Sequence, residues 1–233
     1  MGADDERRRM VEVQLRSRGI HDPRVLEAMA SIPRERFVGH ELRGRAYADE
    51  AVPIDAGQTI SQPWVVARMT ELLAVRPNDK VLELGTGSGY QAAVLAALGA
   101  NVTSLERHPI LASKARERID ALDLPGTVRI RTADGSLGDP RGAPWDGIIV
   151  TAAAPSIPTE LREQLAEGGR LVIPVGPRDH QVLTLVIRRG TEWHDSPQGA
   201  VVFVPLVGEG GFPEESGLQD QLQRIPEDPT SWY

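Results

Sequence analysis

The spacing with the most chemistry in it is Val81-Leu82-Glu83-Leu84-Gly85-Thr86-Gly87-Ser88-Gly89-Tyr90. Residues 81–84 suit a short buried strand, and three glycines at alternate positions then suit a sharp turn opening a helix. Glu106 closes the next apolar run, Asn101-Val102-Thr103-Ser104-Leu105. Strand, glycine turn, helix and a later acidic residue together cradle an adenosine-containing ligand. Backbone without Cβ atoms approaches the ligand, and the carboxylate takes the ribose hydroxyls. A dinucleotide fingerprint G-x-G-x-x-G needs its third glycine at position 90, where this chain has Tyr90. G-x-G-x-G behind Glu83 fits instead a ligand that brings no pyrophosphate to a helix N-terminus.

That spacing is similar to the S-adenosyl-L-methionine (AdoMet) site of class I methyltransferases, in which AdoMet is consumed and S-adenosyl-L-homocysteine released. The resemblance makes Glu83, Gly85, Thr86, Gly87, Ser88, Gly89 and Glu106 candidate cofactor residues. Asp134-Gly135 follows the third strand candidate and is read as the adenine contact, a carboxylate accepting from the exocyclic amine beside a backbone N–H. Thr151-Ala152-Ala153-Ala154-Pro155 ends the fourth strand with small residues only. Enzymes that methylate base amines commonly place an aromatic there, so its absence argues against adenine or cytosine as acceptor. Gly57-Gln58-Thr59-Ile60-Ser61-Gln62-Pro63 reads as a cap leading into a helix, and a hydroxyl at a helix N-terminus is also an anion site. Five histidines (His21, His40, His108, His180 and His194) show no metal spacing, and no metal is expected.

Composition narrows the class further. The 233 residues suffice for one large α/β domain, and 40% hydrophobic with 25% charged residues is ordinary for a globular chain. The net charge of −7 argues against duplex nucleic acid as partner. With no cysteine, disulfides, thiolate nucleophiles and Cys-ligated zinc all drop out. Asp4, Asp5, Glu6, Arg7, Arg8 and Arg9 leave the N-terminal stretch without the apolar core of a secretory signal. No apolar run reaches the ~20 residues needed to cross a bilayer. A cytoplasmic monomer that binds neither membrane nor nucleic acid is expected.

Elements that would hold these residues can be read from periodicity and punctuation. Met10, Val13 and Leu15 mark a weak helix over 4–18, and Asp22 with Pro23 starts a second over 22–30. Residues 33–62 read as irregular, and a helix follows over 63–73. From residue 80, strands at 81–84, 102–105, 128–131, 147–150 and 170–174 alternate with helices at 90–98, 109–122 and 158–165. This alternation predicts an α/β fold: a doubly wound, mostly parallel, Rossmann-like sheet with extra N-terminal helices. Runs at 182–188 and 199–204 have no helix between them and predict an antiparallel C-terminal strand pair. One methyltransferase domain over 1–212 is expected. It comprises a substrate-side extension (1–79), an AdoMet-binding core with the C-terminal strands (80–212), and then a loosely ordered polar tail (213–233).

From about residue 10 to 212 the chain resembles the protein-L-isoaspartate O-methyltransferases, AdoMet-dependent repair enzymes for aged proteins. The resemblance runs through Arg18-Gly19-Ile20, Ile32-Pro33-Arg34-Glu35-Arg36-Phe37-Val38 and Ala46-Tyr47-Ala48-Asp49-Glu50. It continues through 57–63, 81–91 and 151–155, then Glu167-Gly168-Gly169-Arg170-Leu171-Val172-Ile173-Pro174-Val175-Gly176 and Phe203-Val204-Pro205-Leu206. The glycine turn marks only the superfamily, whereas 58–63 is specific to this family. The resemblance implies that Ser61 is the active-site serine and that Gln58, Thr59, Ile60 and Ser61 line the cofactor and substrate pocket. It further implies that Val204, Pro205 and Leu206 border a groove for isoaspartyl proteins and peptides. Trp64 and the chain after Phe212 depart from the family pattern. Alternatives are the same scaffold acting on another carboxylate, such as a modified peptide precursor, and a non-catalytic AdoMet-binding protein.

Overall fold

In the computed structural model, residues 2–214 are described. The expected tail therefore lies outside the described residues except for Pro213 and Glu214. Helix α1 (Ala3–Arg9) has Asp4, Asp5 and Glu6 in its first turn and Arg7, Arg8 and Arg9 in its last, matching the helix dipole. It runs on through a π-helical stretch, Met10–Leu15, and a 3-10 turn, Arg16–Arg18, closed by left-handed Gly19. The wider π turn alters the expected apolar face: Met10, Val11 and Leu15 are buried, while Val13 is 56% exposed. In α2 (Pro23–Ser31) the Asp22 side chain caps by accepting from the Arg24 N–H at 2.9 Å.

Residues 33–62, expected to be irregular, hold short 3-10 turns at Arg34–Arg36 and His40–Arg45, then an antiparallel hairpin. The hairpin pairs β1 (Val52–Pro53) with β2 (Thr59–Ile60). Its tip turns on Ala56 and Gly57, both at positive φ. Helix α3 (Pro63–Leu73) follows as expected.

The main sheet is built from β3 (Lys80–Leu84), α4 (Tyr90–Ala97), β4 (Asn101–Glu106), α5 (Pro109–Asp120), β5 (Thr127–Thr132) and β6 (Trp145–Val150). It is completed by α6 (Thr159–Glu163), β7 (Leu165–Val175), β8 (Gln181–Arg189) and β9 (Glu192–Val201). Strand order is β5-β4-β3-β6-β7-β8-β9, parallel from β5 to β7 and antiparallel over the last two pairings. Side chains of β3 alternate between two apolar clusters, one on each face of the sheet. Val81 belongs with Met69, Tyr90 and Val94, and Leu82 and Leu84 belong with Leu105, Ile148 and Leu171.

The C-terminal pair differs from expectation in position. β9 occupies 192–201 because the turn at left-handed Gly190 is tight and the return strand starts at once, with Arg189 opposite Glu192. Residues 202–204, assigned to that strand from sequence, leave the sheet and run with Pro205 toward the end of β6, where Pro205 bridges to Ala153. Helix α6 is also shorter than expected, since β7 begins at Leu165 and the Gln164 carbonyl accepts from the Trp145 N–H.

Leu82 is fully buried on the central strand. Replacing it with alanine should lower the free energy of unfolding by about 2–5 kcal/mol in urea denaturation. A loss under about 0.5 kcal/mol, typical of a surface site, would contradict this placement.

Candidate functional site

At the end of β3 the backbone is pinned from both sides. The Gly85 N–H donates to the Leu105 carbonyl at 2.9 Å, and the Thr151 N–H donates to the Leu84 carbonyl at 2.9 Å. Gly85 sits at φ +97°, and a Cβ there would lie 2.6 Å from Thr151 Oγ1, so only glycine fits. Gly89, at φ +90°, caps α4. A Cβ on it would press on Ala115 and Ile119 of α5 at 3.1 Å each, so its work is packing the turn against that helix. The Glu106 carboxylate is 4% exposed and accepts from the Gly87 N–H (2.8 Å) and the His108 N–H (2.9 Å). One side chain thereby ties the glycine turn to the loop after β4.

Two other segments complete the wall. The hairpin carries 58–61 over the turn, with Asp55 at its tip paired to Lys114 of α5 at 2.9 Å. The Ala153 N–H donates to the Val204 carbonyl (2.8 Å) and the Leu206 N–H to the Ala153 carbonyl (2.7 Å), fixing 204–206 beside the end of β6. Together they enclose a cavity of about 1020 Å³ including its mouth.

Of the residues expected at the site, Gln58, Thr59, Ile60, Ser61, Gly85, Thr86, Gly87, Ser88, Glu106, Gly135, Val204, Pro205 and Leu206 all line this one cavity. Glu83, Gly89 and Asp134 are not among its lining residues. Glu83 is fully buried beneath the turn, where its carboxyl accepts from the Ser104 hydroxyl, itself bonded to the Thr86 hydroxyl. Burial pushes the Glu83 carboxyl from its ordinary 4.5 up to about 8. The Asp134 carboxylate accepts from the backbone N–H groups of Ser136 (2.8 Å) and Glu209 (3.2 Å). Burial raises its pKa, and those two donors, with the Ser136 hydroxyl and the Arg107 charge, more than offset this and hold the carboxyl below its usual range.

Sequence reasoning missed several lining residues: Val66 and Met69 on α3, Tyr90 and Gln91 at the start of α4, and Arg107 and His108 after Glu106. Tyr90 and Gln91 follow the glycines directly, so adjacency alone would have found them. Val66 and Met69 read as core, which they also are. It also missed Arg34, which lies wholly behind the wall. Its Nη2 donates to the Ser61 carbonyl and its Nε to the Ala46 carbonyl, both at 2.7 Å.

The cavity suits an adenosine-bearing ligand by its own construction. Gly85 leaves backbone where a side chain would collide, and Glu106 stands at the strand end beside it. Fold and site thus define an AdoMet-type methyltransferase. A family profile described as protein-L-isoaspartate(D-aspartate) O-methyltransferase matches residues 5–211, and the chain belongs to that family. A protein-L-isoaspartate O-methyltransferase of Methanoculleus marisnigri is 52% identical over 210 residues, which is 90% of this chain and 95% of the relative. One of Methylorubrum populi is 53% identical over 205 residues, 88% of this chain and 96% of its own length.

Solved structures agree. One protein-L-isoaspartate O-methyltransferase superposes with a TM-score of 0.75 at 25% identity, over 87% of this chain and 66% of that one. A Plasmodium falciparum protein described as the same enzyme, in complex with S-adenosyl-L-homocysteine, superposes with a TM-score of 0.72 at 26% identity, over 85% and 96%.

Glu83 makes the stability of the site depend on pH. The folded chain keeps a proton that the unfolded chain loses, so this contribution is complete below about pH 4.5 and is lost as pH rises toward about 8. Glu83→Gln, neutral at every pH, should therefore gain stability relative to wild type across that window in urea titrations. A constant difference between the two proteins would contradict a buried, protonated Glu83.

Proposed function

We propose that this chain transfers a methyl group from AdoMet to the α-carboxylate of L-isoaspartyl residues in damaged proteins, which starts their repair. The observation that carries this reading is that Ser61 and the glycine turn line one cavity. In this reading Glu106 takes the ribose hydroxyls, and 85–88 pass beneath the ligand, with bare backbone at Gly85 and Gly87. Gly135 walls the adenine end, with Asp134 shaping the 134–136 turn. Glu83 supports the turn from below. Ile60, Val204, Pro205 and Leu206 border the peptide.

When bound, AdoMet supplies a methyl group on a sulfonium, already activated for transfer. An isoaspartyl carboxylate is ionised near pH 7, so the chain has no need of a general base. Its residues therefore work by position and by exclusion of water. The Ser61 hydroxyl donates to one carboxylate oxygen and leaves the other to attack. Buried Ile60 and Leu206 withdraw water from that oxygen. Methylation turns the carboxylate into an ester whose methoxide can leave; the neighbouring backbone nitrogen attacks the ester carbonyl, gives up its proton and expels methanol to form a succinimide, which water reopens partly to aspartate.

Among the described residues no helix is long and apolar enough to cross a membrane. An acidic chain without cysteine supports action in the cytoplasm, away from nucleic acid and membrane surfaces. Among the described residues the large exposed apolar side chains are Val13, Ile110, Val182 and Val202, four residues from three parts of the chain, which supports a monomer.

The test is transfer of labelled methyl from AdoMet to paired peptides that differ only in L-isoaspartate or L-aspartate. Base-labile label should enter the isoaspartyl peptide alone. Label in neither peptide would move the reading to another carboxylate. Ser61→Ala should lower kcat by about 10²–10³-fold, the cost of one positioned donor, while AdoMet affinity measured by calorimetry stays unchanged. Wild-type turnover would remove Ser61 from the mechanism.

A further inference from the structure

Arg34 is the largest fully buried side chain of the described residues, and it is charged. It has no carboxylate partner among them. Its Nε and Nη2 each donate at 2.7 Å, to the carbonyls of Ala46 and Ser61, and its Nη1 is buried without a hydrogen-bond partner. The guanidinium lies over the Tyr90 ring at 4.9 Å, and Phe37 meets that ring edge-on at 5.3 Å. Taking an unpaired cation out of water is costly, and two carbonyls with one ring face offset that only in part. Burial lowers its pKa to about 10, which still leaves it charged at neutral pH.

The three groups it joins share no backbone ladder. Ala46 follows a 3-10 turn, Ser61 lies between β2 and α3, and Tyr90 opens α4 directly after the glycine turn. Ser61 and Tyr90 both line the cavity. A planar fork with two fixed donor directions and a stacking face sets both distance and orientation among such segments, which a single ammonium cannot do.

We propose that Arg34 is a positioning residue for methyl transfer, setting the Ser61 loop against the glycine turn so that the Ser61 hydroxyl meets the acceptor carboxylate in line with the methyl group. This inference rests on the role of Ser61 given above. Arg34 touches neither substrate nor cofactor, so it acts only through where it holds Ser61.

The test is a double-mutant cycle on the full chain, with Arg34→Lys, Arg34→Gln, Ser61→Ala and the two combinations. Each variant is assayed for kcat and KM on the isoaspartyl peptide and for AdoMet affinity by calorimetry. Arg34→Lys keeps the charge and loses the fork. It should lower kcat by roughly 10–100-fold, as for an acceptor displaced by about an ångström, with AdoMet affinity unchanged. Added to Ser61→Ala, either Arg34 substitution should cost nothing further, because the hydroxyl it positions is gone. Additive losses, an unchanged kcat in Arg34→Lys, or loss of AdoMet binding in step with kcat would overturn the proposal. So would failure of both Arg34 variants to fold, which would assign the residue to structure alone. Wild-type turnover in Ser61→Ala by itself would show instead that the reading beneath it is at fault.

Discussion

Everything at this site depends on the reversal of strand order beside β3. From β3 the chain winds outward to β4 and β5, then crosses back to lay β6 on the other side. The connection from β3 goes to one side and that from β6 to the other, which leaves a crevice at their carboxyl ends, walled by residues 58–61 and 204–206. That gap admits a ligand only if the chain emerging from β3 turns away at once. Gly85 allows this because it has no Cβ to strike Thr151. Glu106 then holds the turn open from the neighbouring strand through the Gly87 N–H. A larger residue at Gly85 would close the crevice at its floor.

Around that gap the chain buries charged groups in different ways. Glu106 stays at the cavity wall, with both oxygens on backbone N–H groups and lone pairs left for a ligand. Glu83 is driven toward its neutral form beneath the turn. Arg34 remains charged and donates to the backbone of two loops, beside the tie that Gln62 makes to Asp49. Each is costly as packing alone, and together they define the height and tilt of the segments facing the ligand. The apolar residues on both faces of β3 make this possible by giving a rigid floor to work from.

The parallel core was legible from sequence because its strands are short apolar runs punctuated by glycine or proline and separated by helical periods. The glycine turn and Glu106 were legible for the same reason, since local spacing sets their geometry. Asp134 was harder: an Asp-Gly pair at a strand end fits an adenine contact, but the donors its carboxylate accepts from include Glu209, far along the chain. The position of β9 was missed because Glu192 to Pro197 carries almost no apolar signal on an edge strand, while the more apolar 202–206 in fact leaves the sheet. Arg34 lies in a stretch that carries the family resemblance, 32–38, but nothing there pointed to its partners. Its partners are carbonyls of Ala46 and Ser61, which any residue type presents.

The central claim is that one cavity brings the Ser61 loop and the glycine turn to the same ligand. A crystal structure of the chain with S-adenosyl-L-homocysteine tests it most directly. The account predicts the ribose hydroxyls within hydrogen-bond distance of the Glu106 carboxylate and the sulfur facing the Ser61 hydroxyl across open space. A ribose held elsewhere, or a sulfur walled off from Ser61, would contradict it.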